Sequence, residues 1–228
     1  MRRVLATLAM FVALSTPALA ETPKRQEILG FTLGQRAPEL TEASNLQDLL
    51  GPEIARDMTG LMIVEQPKPR YQVELKNSRW LTLWFDASKE ERPVYWIELS
   101  QAYDPPPVPP DQYDRIIQDL GEPDYKIPGR QGAPLGVLLI KIDPTLSQER
   151  KAATKKHIDA VIANRPEPSS SDDLFIEPGT LQSWLDILGD NFRGKLVIID
   201  TMSLRIDGTA TVLIDTAAAR DAQSQTAQ

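Results

Sequence analysis

The chain has 228 residues, with 25 Lys or Arg, 32 Asp or Glu, one histidine and no cysteine, and a formal charge of -7 at neutral pH. The lack of cysteine excludes disulfides, thiol nucleophiles, cysteine-ligated zinc and a lipid anchor built on a processed cysteine. One imidazole, His157, is too few for a His-rich metal centre, and the acidic balance disfavours nucleic acid, whose phosphates reward Lys and Arg.

Met1-Arg2-Arg3 is a short basic start, and Val4 to Leu14 is nearly unbroken apolar sequence. Ser15-Thr16-Pro17 interrupts it, and Ala18-Leu19-Ala20 offers small residues where a signal peptidase reads. This layout predicts a bacterial secretory signal peptide over residues 1–20, cleaved after Ala20, with the mature protein periplasmic or secreted. The apolar run is too short to span a bilayer and no stop-transfer pattern follows, so the expected product neither spans a membrane nor carries a lipid anchor. Cleavage removes Arg2 and Arg3 and no acid, leaving 208 residues with 23 cations against 32 acids, a charge of -9. That length suits one large domain or two small ones.

Glu21 to Glu27 is a polar arm, and Ile28 to Leu33 is a short apolar segment able to pair at a sheet edge. Pro38 to Leu50 reads as a helix with Leu46, Leu49 and Leu50 on one stripe, stopped by Gly51-Pro52. Four strand-like runs follow: Thr59 to Glu65, Tyr71 to Lys76, Trp80 to Asp86 and Val94 to Ala102. Each is rich in β-branched, aromatic or leucine residues, and the short connections between them imply an antiparallel meander. The run from Asp104 through Pro110 holds five prolines, which neither helix nor sheet interior tolerates, and residues 105–110 are expected to be a stiff linker.

The order then begins again. Asp111 to Leu120 reads as a helix with Tyr113, Ile116, Ile117 and Leu120 on one face, and Gly121 follows. Tyr125 to Ile127 and Leu135 to Asp143 read as strands. Leu146 to Asn164 is a polar helix with Ile158, Val161 and Ile162 toward the core, Pro166 to Asp173 is a loop, and Leu181 to Leu188 is a short helix. Lys195 to Arg205 and Thr209 to Asp215 form a hairpin about Asp207-Gly208, and 217–228 is expected to be a disordered tail. The predicted fold class is α+β. It has two helix-on-antiparallel-four-stranded-sheet halves, 21–104 and 111–216, the second with a helical insertion over 146–190. The echo of Leu49-Leu50-Gly51-Pro52-Glu53 in Asp119-Leu120-Gly121-Glu122-Pro123 suggests a tandem repeat, although Leu-Gly marks any helix end.

Phe31-Thr32-Leu33-Gly34-Gln35, the helix ending Leu49-Leu50-Gly51-Pro52, and the exit Leu120-Gly121-Glu122-Pro123-Asp124 resemble small bacterial envelope modules. These are the β-lactamase-inhibitor-protein-like and SmpA/OmlA-like domains, in which a helical segment packs on a four-stranded antiparallel sheet, singly or in tandem. The resemblance implies a scaffold that binds proteins, and it transfers no individual site residue.

Strand alternation places Trp80, Thr82, Trp84 and Asp86 on one face, opposite Leu81, Leu83 and Phe85. In the next strand Val94, Trp96, Glu98 and Ser100 share a face. Closing the hairpin around Lys89-Glu90 sets Trp84 against Trp96 and Thr82 against Glu98. The leucine face should meet the helix, which leaves the tryptophan face without cover from its own half. Tryptophan anchors protein interfaces and sugar platforms alike, so Trp80, Thr82, Trp84, Trp96 and Glu98 are the candidate binding residues; the competing reading is that they are core. The expected function is binding of an envelope protein without catalysis, cofactor or metal. A glycan or small-ligand module on the same face is the alternative, and a hydrolase using Asp86 and Glu98 as its carboxylates is third. Ser169-Ser170-Ser171 is a loop rather than a nucleophile elbow, and no phosphate loop or calcium loop occurs.

Overall fold

The computed structural model describes residues 25–37, 50–65, 68–102, 110–128, 137–164, 181–200 and 208–226. The expected leader, most of the first helix, residues 105–109 of the proline linker, the Pro/Ser loop and the Asp207 turn residue lie outside them, while Pro110, expected to be linker, begins a helix. Helix α1 (Pro52–Asp57) leads into strands β1 (Met58–Val64), β2 (Arg70–Leu75), β3 (Arg79–Phe85) and β4 (Val94–Ala102). Helix α2 (Pro110–Leu120) is followed by β5 (Tyr125–Pro128), β6 (Val137–Ile142), α3 (Gln148–Ala163), α4 (Leu181–Leu188), β7 (Arg193–Asp200), β8 (Gly208–Asp215) and α5 (Thr216–Thr226). The class is α+β.

The strands form one antiparallel sheet in the order β1-β2-β3-β4-β8-β7-β6-β5. The two four-stranded meanders share a seam, with Trp96 opposite Ile214, Glu98 opposite Val212 and Leu99 opposite Thr211. The halves are therefore not separate layers. Joining their last strands removes two raw edges and leaves β1 and β5 as the outer ones.

Each face has its own cover. On the side of Leu81 and Leu83, the chain segment from Ile28 to Ala37, together with Leu50 and Ile54, packs over β1 to β4. On the same side further along, α2 lays Leu120, Ile116 and Ile117 over Leu139, Val197 and Ile199. The opposite side carries α3, α4 and α5, whose Ile158, Leu185, Leu188, Ala219 and Ala222 close over Trp96, Ile140, Leu196, Val212 and Ile214. Burying one such aliphatic side chain contributes about 1.5–3 kcal/mol, so these three clusters hold the sheet on both faces.

Three expectations change. Leu50 is helical and Gly51 sits at φ +85°, but Pro52 does not stop the chain's helical run: it starts α1 at once, because proline is pre-shaped for a first helical turn. Ile162 is 41% exposed rather than core, since α3 reaches the other helices through Thr154 and Ile158 and is largely exposed beyond residue 158. The supposed tail is α5 as far as Thr226. Asp215 Oδ1 accepts the Ala218 N–H, and Thr216 Oγ1 donates to Gly189 O and Phe192 O. Its alanines, read as featureless, are good helix formers small enough to seat Ala219 and Ala222 directly on the layer beneath.

Candidate functional site

The β3–β4 hairpin has the expected register. Trp84 faces Trp96, Thr82 faces Glu98 and Trp80 faces Ser100. The two indoles of the first pair lie 4.8 Å apart at 41°. A bulge at Trp84/Phe85 pairs Phe85 with Val94, so Tyr95 is the extra residue, and Tyr95 and Trp96 both enter the cluster under α4 and α5.

The five candidate residues separate by depth. Trp96 is 3% exposed and Thr82 8%. Trp80, Trp84 and Glu98 are half-buried, and Trp84 leans on the core cluster. The tryptophans are thus not one open platform. Trp96 is core because α5, expected to be frayed, packs beside β4 and β8 and joins α3 and α4 in the cluster that holds it. Around Thr82 and Glu98, on the face away from Leu81, the neighbours are Gln72, Glu74 and Ser100.

Trp96 Nε1 is buried, and the Glu98 carboxyl is the acceptor it approaches. Burial pushes the Glu98 carboxyl above the usual carboxylate range, while the indole N–H of Trp96 pulls the other way. A raised acid stabilises the fold only while protonated. That contribution is present below the unfolded value near 4.5 and is lost as pH rises through the higher folded value. Glu98→Gln is therefore expected to raise the melting temperature at neutral pH and to leave it nearly unchanged below about pH 4. Calorimetry at both pH values checks this, and a variant no more stable at neutral pH would place the carboxylate in bulk water.

Asp86 and Glu98 do not converge. Asp86 lies four residues beyond Thr82, the partner of Glu98, which is roughly 13 Å of strand and beyond the roughly 5–9.5 Å that separates glycosidase carboxylates. Burial would raise the Asp86 carboxyl, but hydrogen bonds from Ser88 and Lys89 outweigh it and hold the group below the usual range. Ser88 also contacts Gln225 on α5, so this turn is tied down structurally. His157 packs its ring against Gly189 and sets Nε2 3.2 Å from Asp186 O, joining α3 to α4. Among the described residues no group of His, Asp and Glu could hold a metal ion, and no helix is long and apolar enough to cross a membrane.

A concave feature lies apart from the tryptophan face. Beside the end of β1 lies a cleft of about 390 Å³ lined by Ile63, Val64, Glu65, Tyr71, Phe85, Ala87 and Arg92. The Arg92 guanidinium lies 4.5 Å from the Phe85 ring centre and donates to the Tyr71 hydroxyl. In the sequence Arg92 is one member of a charged turn, and only the three-dimensional approach of Tyr71 and Phe85 marks it.

No family model, curated protein or solved structure matches this chain.

Proposed function

We propose that this chain is an exported, non-enzymatic binding protein of the bacterial envelope, and that it docks another protein on the sheet face around Trp80, Thr82, Trp84 and Glu98. The observation that carries the reading is the desolvated Glu98 carboxyl beside the buried Trp96 N–H, flanked by the half-buried indoles of Trp80 and Trp84. A desolvated carboxyl next to aromatic anchors is a group that a partner can complete. The basic-apolar leader with its Ala18-Leu19-Ala20 end supports export. The likeness to β-lactamase-inhibitor-protein-like and SmpA/OmlA-like modules supports protein binding, and the helix-then-meander order in both halves is consistent with it.

Cell fractionation with amino-terminal sequencing tests export, and the expected mature start is Glu21. A photo-crosslinking residue at position 80 or 100 should trap a discrete partner, whereas one at exposed Lys126 or Lys156 should not. Trp80→Ala should abolish the adduct at position 100 with a stability change of about 1 kcal/mol. Equal trapping from all four positions would remove the docking face. The half-exposed Trp84 indole beside a carboxyl also favours a second reading, a glycan stacked on that ring. Saturable quenching of tryptophan emission by muropeptides, lost in Trp84→Ala, would move the assignment to it.

A further inference from the structure

Arg92 differs from the ion-paired cations among the described residues. Arg56 and Arg79 face Asp57, Lys89 faces Asp86, Arg150 and Arg193 face Asp215, and Arg220 faces Asp190. Among the described residues Arg92 has no carboxylate partner. Its contacts are the Tyr71 hydroxyl and the faces of Phe85 and Tyr71, at 4.5 Å and 5.9 Å. A guanidinium cannot shed its proton in a protein. Here it is fixed in orientation by stacking, partly desolvated by aromatic walls, and held on a backbone with φ +44°, a conformation a non-glycine residue seldom keeps without a reason.

The space beside it completes the picture. The cleft of about 390 Å³ is lined by the aliphatic and aromatic residues Ile63, Val64, Tyr71 and Phe85 together with the polar Glu65 and Arg92, and Ile63 is 44% exposed on the outer strand β1. That volume fits a compact small-molecule group. A lining of mixed polarity with one oriented guanidinium suits a ligand that joins one anionic oxygen pair to a compact apolar body, because a charge-assisted fork-to-carboxylate pair is the strongest contact this side chain can make.

We infer that the cleft between the end of β1 and the β3–β4 turn binds an organic carboxylate with a compact apolar body, with Arg92 taking the carboxylate and Ile63, Val64 and Phe85 taking the body. Glu65 at the rim carries the same sign as the ligand and weakens binding. The site lies on the Leu81 side of the sheet, away from Glu98, and does not depend on the docking reading above. The carboxylate can belong to a free acid or to the last residue of a peptide, and the probes separate the two.

The test is calorimetric titration of the full chain with N-acetylphenylalanine, its neutral amide, and acetyl-Gly-Gly-Phe with a free carboxyl end. The acid should bind saturably and about tenfold or more tighter than the amide, a difference of about 1.4 kcal/mol. Arg92→Gln should erase that difference. Glu65→Gln should tighten the acid a few-fold. Ala87→Trp, at an exposed position that fills the cleft while keeping Arg92, should abolish binding even if Arg92→Gln fails to fold. A tripeptide tighter than the acid identifies a chain terminus as the ligand, and equal affinity identifies a free acid. Acid and amide binding alike, no saturable binding of the acid at millimolar concentration, or a filled cleft that still binds would overturn the inference.

Discussion

Arg193→Ala is expected to lower the unfolding free energy by about 3 kcal/mol and the melting temperature by roughly 10 °C. Arg193 begins β7 and reaches in three directions. Its Nε lies 3.1 Å from Asp143 Oδ2, Nη1 lies 3.7 Å from Asp215 Oδ2, and Nη2 donates to Leu33 O at 3.3 Å. One side chain thereby links the amino-terminal cover, the loop after β6, the end of β8 and the start of α5. The Asp143 side chain is only 4% exposed, so removing the cation strands a carboxylate that keeps only its bonds from Thr145. Asp215 suffers less, because Arg150 Nη2 stays at 2.9 Å. The penalty is thus mainly that of an unpaired buried charge, not the net worth of the ion pair. Two further variants check that cause. Asp143→Asn in the Arg193→Ala background should restore part of the loss, and Arg193→Lys should restore less than half, since an ammonium cannot fork toward three acceptors. Urea unfolding with an unchanged slope is the measurement. A loss below about 1 kcal/mol would mean that water already satisfies this cluster.

Local pattern predicted local structure well. Trp80 to Asp86 and Val94 to Ala102 alternate cleanly and are punctuated by turn-formers, and the ladder between them has the expected partners down to Trp84 against Trp96. The turn before β3 uses Asn77 and Ser78 at positive φ, as such residues allow. What the pattern did not carry was the seam. Strands β4 and β8 meet across more than a hundred residues of chain, and nothing in Trp96-Ile97-Glu98-Leu99 distinguishes a strand that ends a sheet from one that continues it. A register argument works within a hairpin because the turn sets it, and no turn sets this one.

The site was legible by composition and not by depth. Tryptophans on one face of adjacent strands were visible in the alternation, but their exposure depended on a segment elsewhere. The small, polar composition of Ala217 to Gln228 predicts a frayed tail, whereas as α5 it shares with α4 the cover over Trp96. One misread segment thus carried directly into the site. The signal was present: Asp215-Thr216 before Ala217-Ala218-Ala219 is a helix cap followed by strong helix formers. Arg92 had no comparable signal, because its stacking on Phe85 arises only once β3 and β4 have folded.

Two strand glycines provide a paired experiment on why the sheet is built as it is. Gly194 sits inside the sheet, opposite Ile142 on one side and Ile214 on the other. A Cβ there would lie 2.3 Å from Lys141 O, 2.9 Å from Phe192 Cζ and 3.1 Å from Ile142 Cα. Two of those atoms are backbone of the neighbouring strand, so no rotamer change relieves the overlap and β6 must move away from β7. Overpacking by a single carbon typically costs 1–3 kcal/mol and more where backbone must shift, so Gly194→Ala is expected to cost about 4 kcal/mol, a large share of the stability of an ordinary domain. Gly60 lies on the outer strand β1, where a Cβ would meet Glu74 Oε2 at 3.1 Å, the free end of a flexible exposed side chain, and Glu74 Cβ at 3.5 Å. Gly60→Ala should therefore fall within about 0.5 kcal/mol of the parent or exceed it, because alanine also loses less chain entropy on folding. Denaturant unfolding of both variants decides between close backbone contact at β6 and β7 and a general intolerance of glycine replacement. Equal losses at the two positions would show that the close approach at Gly194 does not govern the packing of this sheet.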